Sequence, residues 1–200
     1  MEWRPLKGVQ LDATFFYNRL QDAVGNVTVG FGPGNFDPGG FIPAGGVLRQ
    51  RQNIDLVTAP GVELGASWQI APQLFVRASY LFTEPKVDRA AERALIGKLL
   101  AQTPEHVVTG ALEWHPEKHS LLTAQARYGT RQFEDDQNAI PLAPYLTIDL
   151  AAFYDLSARL SAGLRVENVL NTEIETGKTP DGLVSIGAPR LVTFQLRYQL

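Results

Sequence analysis

Cysteine is absent from all 200 residues. That excludes a disulfide framework and any thiolate metal site. An excess of positive charge is also missing. Eighteen Lys and Arg stand against 21 Asp and Glu, a formal charge of −3, so there is no basic field to hold nucleic acid. Nowhere does the chain offer the run of about 20 apolar residues that a membrane-spanning helix needs. No charged start followed by an apolar stretch is present, so no secretory signal is legible. Residues 1–5 lead almost directly into a strand, as expected of a chain that begins partway into a longer product. With only three histidines, His106, His115 and His119, ligands for metal or proton chemistry are scarce.

What the chain does have is alternation. Near its end, Leu160, Ala162, Leu164 and Val166 alternate with Ser161, Gly163, Arg165 and Glu167. Val192, Phe194, Leu196, Tyr198 and Leu200 alternate with Leu191, Thr193, Gln195, Arg197 and Gln199. A period of two over this length predicts strands with one apolar face. The same pattern opens the chain over residues 8–19. There Val9, Leu11, Ala13, Phe15 and Tyr17 oppose Gln10, Asp12, Thr14, Phe16 and Asn18. Further strands are expected at residues 53–69, 73–83, 106–115, 120–128 and 146–155, which makes eight. Pro60-Gly61 inside the second reads as a bulge.

The connections alternate long and short. Short turns are expected near Pro72, Glu117 and Ser157. Long segments hold most of the Gly, Pro and charge: residues 21–51, rich in turn chemistry, then 84–103, 129–142 and the segment before Gly187. Within the second, residues 90–100 have helix-forming composition, with Leu95, Leu99 and Leu100 as an apolar stripe. A short helix, a turn or two within a loop, and a strand extension all fit that composition.

A soluble sandwich also alternates. Three features favour lipid instead. Nearly every strand reaches the 9–11 residues that cross a bilayer when tilted. One end carries short turns and the other long loops. On the apolar face, Trp68, Trp114, Tyr154 and Tyr198 fall toward the short turns, while Tyr17, Tyr80, Phe82 and Tyr128 fall toward the long loops. Two aromatic levels are the belts of a membrane-spanning barrel. The other face carries Asp12, Glu63, Arg77, Glu113, Arg127, Asp149, Arg165, Glu167 and Arg197. A charge facing mid-bilayer lipid costs about 2–4 kcal/mol, so these side chains are expected to face a lumen and to pair across strands. The fold class is therefore all-β: an antiparallel transmembrane β-barrel segment of eight up-and-down strands.

Catalytic chemistry finds no footing. No serine sits in a Gly-x-Ser-x-Gly turn. Gly30-Phe31-Gly32-Pro33-Gly34 lacks the Lys-Ser/Thr of a phosphate loop. His115 and His119 flank a turn without further zinc ligands and read as solvated turn residues. Glu134-Asp135-Asp136 lacks calcium-loop spacing and reads as an exposed acidic loop. Arg77, Arg127 and Arg131, in the lumen or at its rim, are candidates for meeting an anionic ligand, with ion pairing inside the lumen as the alternative. No cofactor is expected.

One stretch carries a family resemblance. Glu167-Asn168-Val169-Leu170-Asn171-Thr172-Glu173 follows the seventh strand, and Gly187-Ala188-Pro189-Arg190 leads into the last. Together they resemble the C-terminal end of the TonB-dependent outer-membrane receptors. That family has an Asn-Leu-Phe-Asn-type motif and a Gly-x-Pro-Arg-type entry at these places. Val169-Leu170 departs from the usual Leu-Phe, Ile174 stands where an aromatic is common, and Leu200 where a terminal Phe is usual. Glu167, Asn168, Asn171, Gly187, Pro189 and Arg190 carry the match. By their own chemistry, the asparagines bond to nearby backbone and tolerate left-handed conformations. They are expected to shape the strand's exit from the membrane.

The resemblance implies the C-terminal portion, residues 1–200, of a 22-stranded barrel that a plug fills. It implies a receptor in the outer membrane of a Gram-negative bacterium that takes up ferric siderophores or similar scarce nutrients. It implies a transporter and not an enzyme. Its short turns would be periplasmic and its long loops extracellular. Expected partners are outer-membrane lipid, the rest of the barrel and its plug, an iron chelate, and TonB through an N-terminal part not in these residues. The alternative is a small stand-alone eight-stranded barrel that acts structurally or binds through its loops. An open sheet would leave unpaired edges in lipid, so either reading needs those edges covered.

Overall fold

The computed structural model describes residues 2–199. Met1, and Leu200 of the expected closing strand, lie outside them. A short strand β1 (Glu2–Trp3) pairs antiparallel with β2 (Val9–Phe31). The small hairpin β3 (Gly34–Phe36) and β4 (Gly40–Ile42) forms a tip before β5 (Val47–Ala71). β6 (Leu74–Thr83) returns through a tight turn, and the short β7 (Lys86–Arg89) adds to β5 beyond it. β8 (His106–Trp114) and β9 (Ser120–Gly129) follow. A two-residue pair, β10 (Gln132–Phe133) with β11 (Pro141–Leu142), precedes β12 (Tyr145–Asp155). After β13 (Leu160–Glu167), the hairpin β14 (Glu175–Lys178) and β15 (Val184–Ile186) leads to β16 (Leu191–Tyr198).

The eight long strands are those expected, and the sheet order β1-β2-β5-β6-β8-β9-β12-β13-β16 is an antiparallel meander. Long and short connections alternate as the sequence indicates. Among the described residues the path does not close: β1 and β16 are its two ends.

Two local expectations are corrected, and one left open is decided. The stretch 21–51 is not loop throughout. β2 runs on to Phe31, β5 begins at Val47, and the ladder continues from Val9↔Trp68 to Phe31↔Val47. Turn residues concentrate at the tip, whereas Val24, Val27 and Thr28 still favour a strand, and two strands that leave the sheet together satisfy each other's backbone groups. Pro60-Gly61 makes no bulge; Pro60 faces Tyr17 and Gly61 faces Phe16 in unbroken register. The Pro60 carbonyl accepts from the Glu84 N–H at 3.1 Å. The missing Pro60 N–H therefore points at the junction between β6 and β7, where a ladder bond is already interrupted. The irregularities fall instead between Thr28 and Gly30, between Leu56 and Val57, and between Gln69 and Ala71. Residues 90–100 hold a single 3-10 turn, Arg93–Leu95, capped by the Glu92 side chain.

The buried core is small and lies at the long-loop end. Val27, Ile54, Val57, Val87 and Leu95 pack together, with Ala23, Ala90 and Leu100 against them. The apolar face of the sheet is outside this core. Phe15 is 78% exposed and Phe194 67%.

Candidate functional site: two faces of one sheet

The pairing registers join into rows that cross the whole sheet. Val9, Trp68, Val76, Leu112, Ala124, Leu150, Val166 and Val192 are successive partners, one from each long strand. Every member is apolar. The adjacent row reads Gln10, Ser67, Arg77, Ala111, Gln125 and Asp149. A slip of one residue would turn a strand's other face, which carries most of the polar residues, into the first row, so the alternation and the register agree on which face is apolar. Leu64, Leu150, Leu164, Val192 and Leu196 all stand exposed on that face. An apolar surface of this extent needs a nonpolar surrounding.

The aromatic residues fall at the ends of this face. Tyr80, Val108 and Tyr128 share one row, and Phe82 and His106 the next. Tyr17 lies beyond Phe82's row, opposite Pro60. Toward the short turns, Trp114 ends β8, Tyr154 is the penultimate residue of β12 and Tyr198 ends β16. Trp68 lies one pleat inside Trp114's row. Trp114 pairs with Leu74 and His106 with Phe82. Eight residues of β6 separate those rows, roughly 27 Å along the strand. One contact at the loop end was not legible in the sequence. Tyr80 Oη lies 2.8 Å from His106 Nδ1, the two rings stack, and Phe82 leans on the same imidazole.

On the polar face, a groove of about 500 Å3 is lined by Arg77, Ser79, Thr109, Gln125, Arg127 and Asp149. Two of the candidate arginines, Arg77 and Arg127, are thus brought together. Arg77 reaches Glu113 diagonally at 3.5 Å, with both side chains about half exposed. Ser79 and Thr109 share a hydrogen bond at 2.6 Å between them. Arg127 forms no ion pair among the described residues. Arg131 is apart from the groove, with its guanidinium over the Phe133 ring at 5.5 Å. Of the other charges expected to pair across strands, only Arg165 and Glu167 form an ion pair among the described residues, at 3.4 Å, and they sit two apart on one strand.

The motif residues form a clamp where β13 leaves the sheet. Asn168 is 5% exposed and, like Asn171, has a positive φ (49° and 53°). The Asn168 N–H donates to Asp149 Oδ1 at 2.7 Å. Its Nδ2 donates to the carbonyls of Thr172 and Ala188, and its Oδ1 accepts from the Thr172 N–H. Asn171 Oδ1 accepts from the Arg190 N–H at 3.0 Å, and the Gly187 N–H donates to the Ile174 carbonyl at 2.8 Å. Pro189 lies between the Ala188 carbonyl and the Arg190 amide that these asparagines hold. One buried amide therefore ties β13, its loop and the approach to β16 together, with Asp149 of β12 as anchor. Asp149 carried no signal in the sequence beyond its charge.

The acidic stretch differs from the exposed loop expected. Asp135 is only 6% exposed. Its carboxylate accepts from the backbone N–H groups of Gln137, Ala139 and Ile140, which settles a buried charge with local donors. His115 and His119 bracket their turn. His115 Nδ1 is 3.1 Å from the Ser120 carbonyl, and the His119 carbonyl accepts from the Asp155 N–H. Among the described residues, no three His, Asp or Glu gather as a metal site, and no helix is long and apolar enough to cross a membrane.

An antiparallel meander with one apolar, outward face and one polar face is the wall of a β-barrel of the membrane class. The family model described as TonB dependent receptor-like, beta-barrel matches residues 1–169, and the chain belongs to that family. No curated protein matches it. Solved structures with the same fold include the ferric yersiniabactin uptake receptor FyuA from Yersinia pestis. It has 16% identity and a TM-score of 0.75, over 98% of this chain and 28% of that one. The ferric-catecholate import receptor Fiu from K12 E. coli has 20% identity and a TM-score of 0.70, over 98% and 26%. The copper transporter OprC has 15% identity and a TM-score of 0.72, over 98% and 30%. The chain thus spans less than a third of each of these receptors.

Proposed function

We propose that residues 1–200 are C-terminal strands of an outer-membrane receptor that imports a scarce nutrient, a ferric siderophore or another metal chelate, with energy delivered through TonB. The observation that carries the reading is the unbroken apolar row from Val9 to Val192, exposed on a sheet of this family. Lipid of the outer membrane of a Gram-negative bacterium would cover that face. The polar face would line a lumen and meet a plug, and further strands of the same barrel would pair with the two open edges. Arg77 and Arg127 would present positive charge to whatever fills the lumen, and an anionic chelate crossing it would pass them.

A stand-alone eight-stranded barrel is the second reading. It needs β16 to pair with the first strands, and the sheet order runs from β1 to β16 without that pairing among the described residues. The larger barrel is therefore favoured. The test is a deletion of the gene that carries this chain, followed by uptake of labelled iron and copper chelates. Loss of uptake of one chelate, restored by the intact gene and not by a TonB-deficient background, is expected. Undiminished uptake of every metal chelate would overturn the transport reading.

A further inference from the structure

The four long connections are held to one another by hydrogen bonds that the transport reading does not use, and residues 130–144 take part in most of them. Toward the first hairpin, Asp136 receives both donors of Thr28: the backbone N–H to Oδ2 at 2.7 Å and the hydroxyl to Oδ1 at 2.6 Å. Thr28 is buried, at the point where the β2–β5 ladder shifts register. Toward residues 84–105, Asn138 pairs with the Leu99 backbone in both directions, accepting at 2.8 Å and donating at 2.9 Å. The Gln102 N–H donates to the Phe133 carbonyl, and its side chain to Glu134. Toward residues 168–190, the Ala143 N–H donates to Glu175 Oε2 at 2.8 Å. The first and fourth connections also approach each other, though no hydrogen bond joins them among the described residues. A Cβ on Gly45 would lie 3.3 Å from that of Asp181.

Residues 130–144 are themselves stiff. Asp135 binds three of their own amides, Glu134 donates its N–H to the Ile140 carbonyl, and β10 pairs with β11. A stiff segment joined on three sides transmits displacement rather than absorbing it. We propose that residues 130–144 are a keystone that makes all four long connections open and close as one body, with the Asp136–Thr28 pair as its latch. Entry from the long-loop side is then all-or-none: one cooperative opening, not the parting of single loops. This rests on the reading of that end as the entrance, but its test does not require transport.

The test is hydrogen exchange, read by mass spectrometry, on the gene product that carries this chain in detergent. The variants are Asp136→Ala, the milder Thr28→Val, and Asp37→Ala as a control at the hairpin tip. Removing a bond to a charged group is expected to speed exchange about ten- to a hundredfold. Under the proposal Asp136→Ala does so in all four segments, 22–50, 84–105, 130–144 and 168–190, including those Asp136 does not touch. Thr28→Val gives the same pattern more weakly and Asp37→Ala none. Peptides of residues 106–114 report whether the sheet itself stays folded. Acceleration confined to residues 22–50 and the immediate neighbours of Asp136, with the sheet intact, would overturn the keystone.

Discussion

The Phe16 ring occupies the space a side chain at Gly61 would fill: a Cβ built there would collide with it, and the two residues face each other across β2 and β5. Two further cross-strand pairs repeat the arrangement on the polar face. A Cβ at Gly163 would lie 2.5 Å from the Phe153 ring, and one at Gly129 would lie 2.7 Å from that of Tyr145. An aromatic ring over a glycine restores the packing that a bare backbone lacks and pins the register.

Substituting Gly61 by Val is therefore expected to destabilise the sheet by about 1–3 kcal/mol, the usual cost of overpacking. Urea-unfolding midpoints in detergent measure it. Phe16→Ala in the Gly61→Val background should recover part of the loss, because the collision with the ring disappears while the one with the Phe82 carbonyl, 2.6 Å from the added Cβ, remains.

The two faces should respond oppositely to the same charge. Leu150→Arg faces the apolar side and is expected to cost about 2–4 kcal/mol. Gln125→Arg, one pleat away on the polar face, should change stability by less than about 1 kcal/mol. Reversible folding into lipid vesicles compares the two.

Asn168 combines a positive φ with a buried side chain that bonds three backbone groups. Asn168→Ala loses those bonds and keeps an unfavourable φ, with an expected cost of about 2–4 kcal/mol. Asn168→Gly loses the bonds but relieves the φ, and should be about 1 kcal/mol milder. Thermal unfolding of both variants checks the order.

The Arg77–Glu113 ion pair is half exposed and long. Arg77→Gln is expected to shift stability by no more than about 1 kcal/mol. If uptake by the whole receptor falls sharply in Arg77→Gln and Arg127→Gln while folding is unchanged, the groove contributes to transport. If uptake is unchanged, the two arginines serve only the lumen wall.

The strands were legible because alternation is a local signal. Each of Val9–Tyr17, Leu74–Phe82 and Leu146–Tyr154 shows its apolar face within its own sequence. The extension of β2 to Phe31 was hidden because Asp22, Gly25, Asn26 and Gly30 read as loop, while the partner that holds those residues extended begins at Val47. The burial of Asp135 was hidden for a related reason. Its donors lie within five residues, but only the folded loop aims them at one carboxylate. The motif residues Asn168 and Asn171 were visible as loop-shaping asparagines, whereas their bonds to Asp149, Ala188 and Arg190 span about 20 residues and leave no local trace.

The apolar face is the claim on which the rest depends, and the chain's lack of cysteine makes it directly testable. Spin labels on Leu64→Cys, Leu122→Cys and Leu150→Cys should be accessible to oxygen dissolved in the membrane, and those on Glu63→Cys, Gln125→Cys and Asp149→Cys should not. The reverse pattern, with the leucine positions shielded and the polar positions exposed to membrane oxygen, would contradict the account.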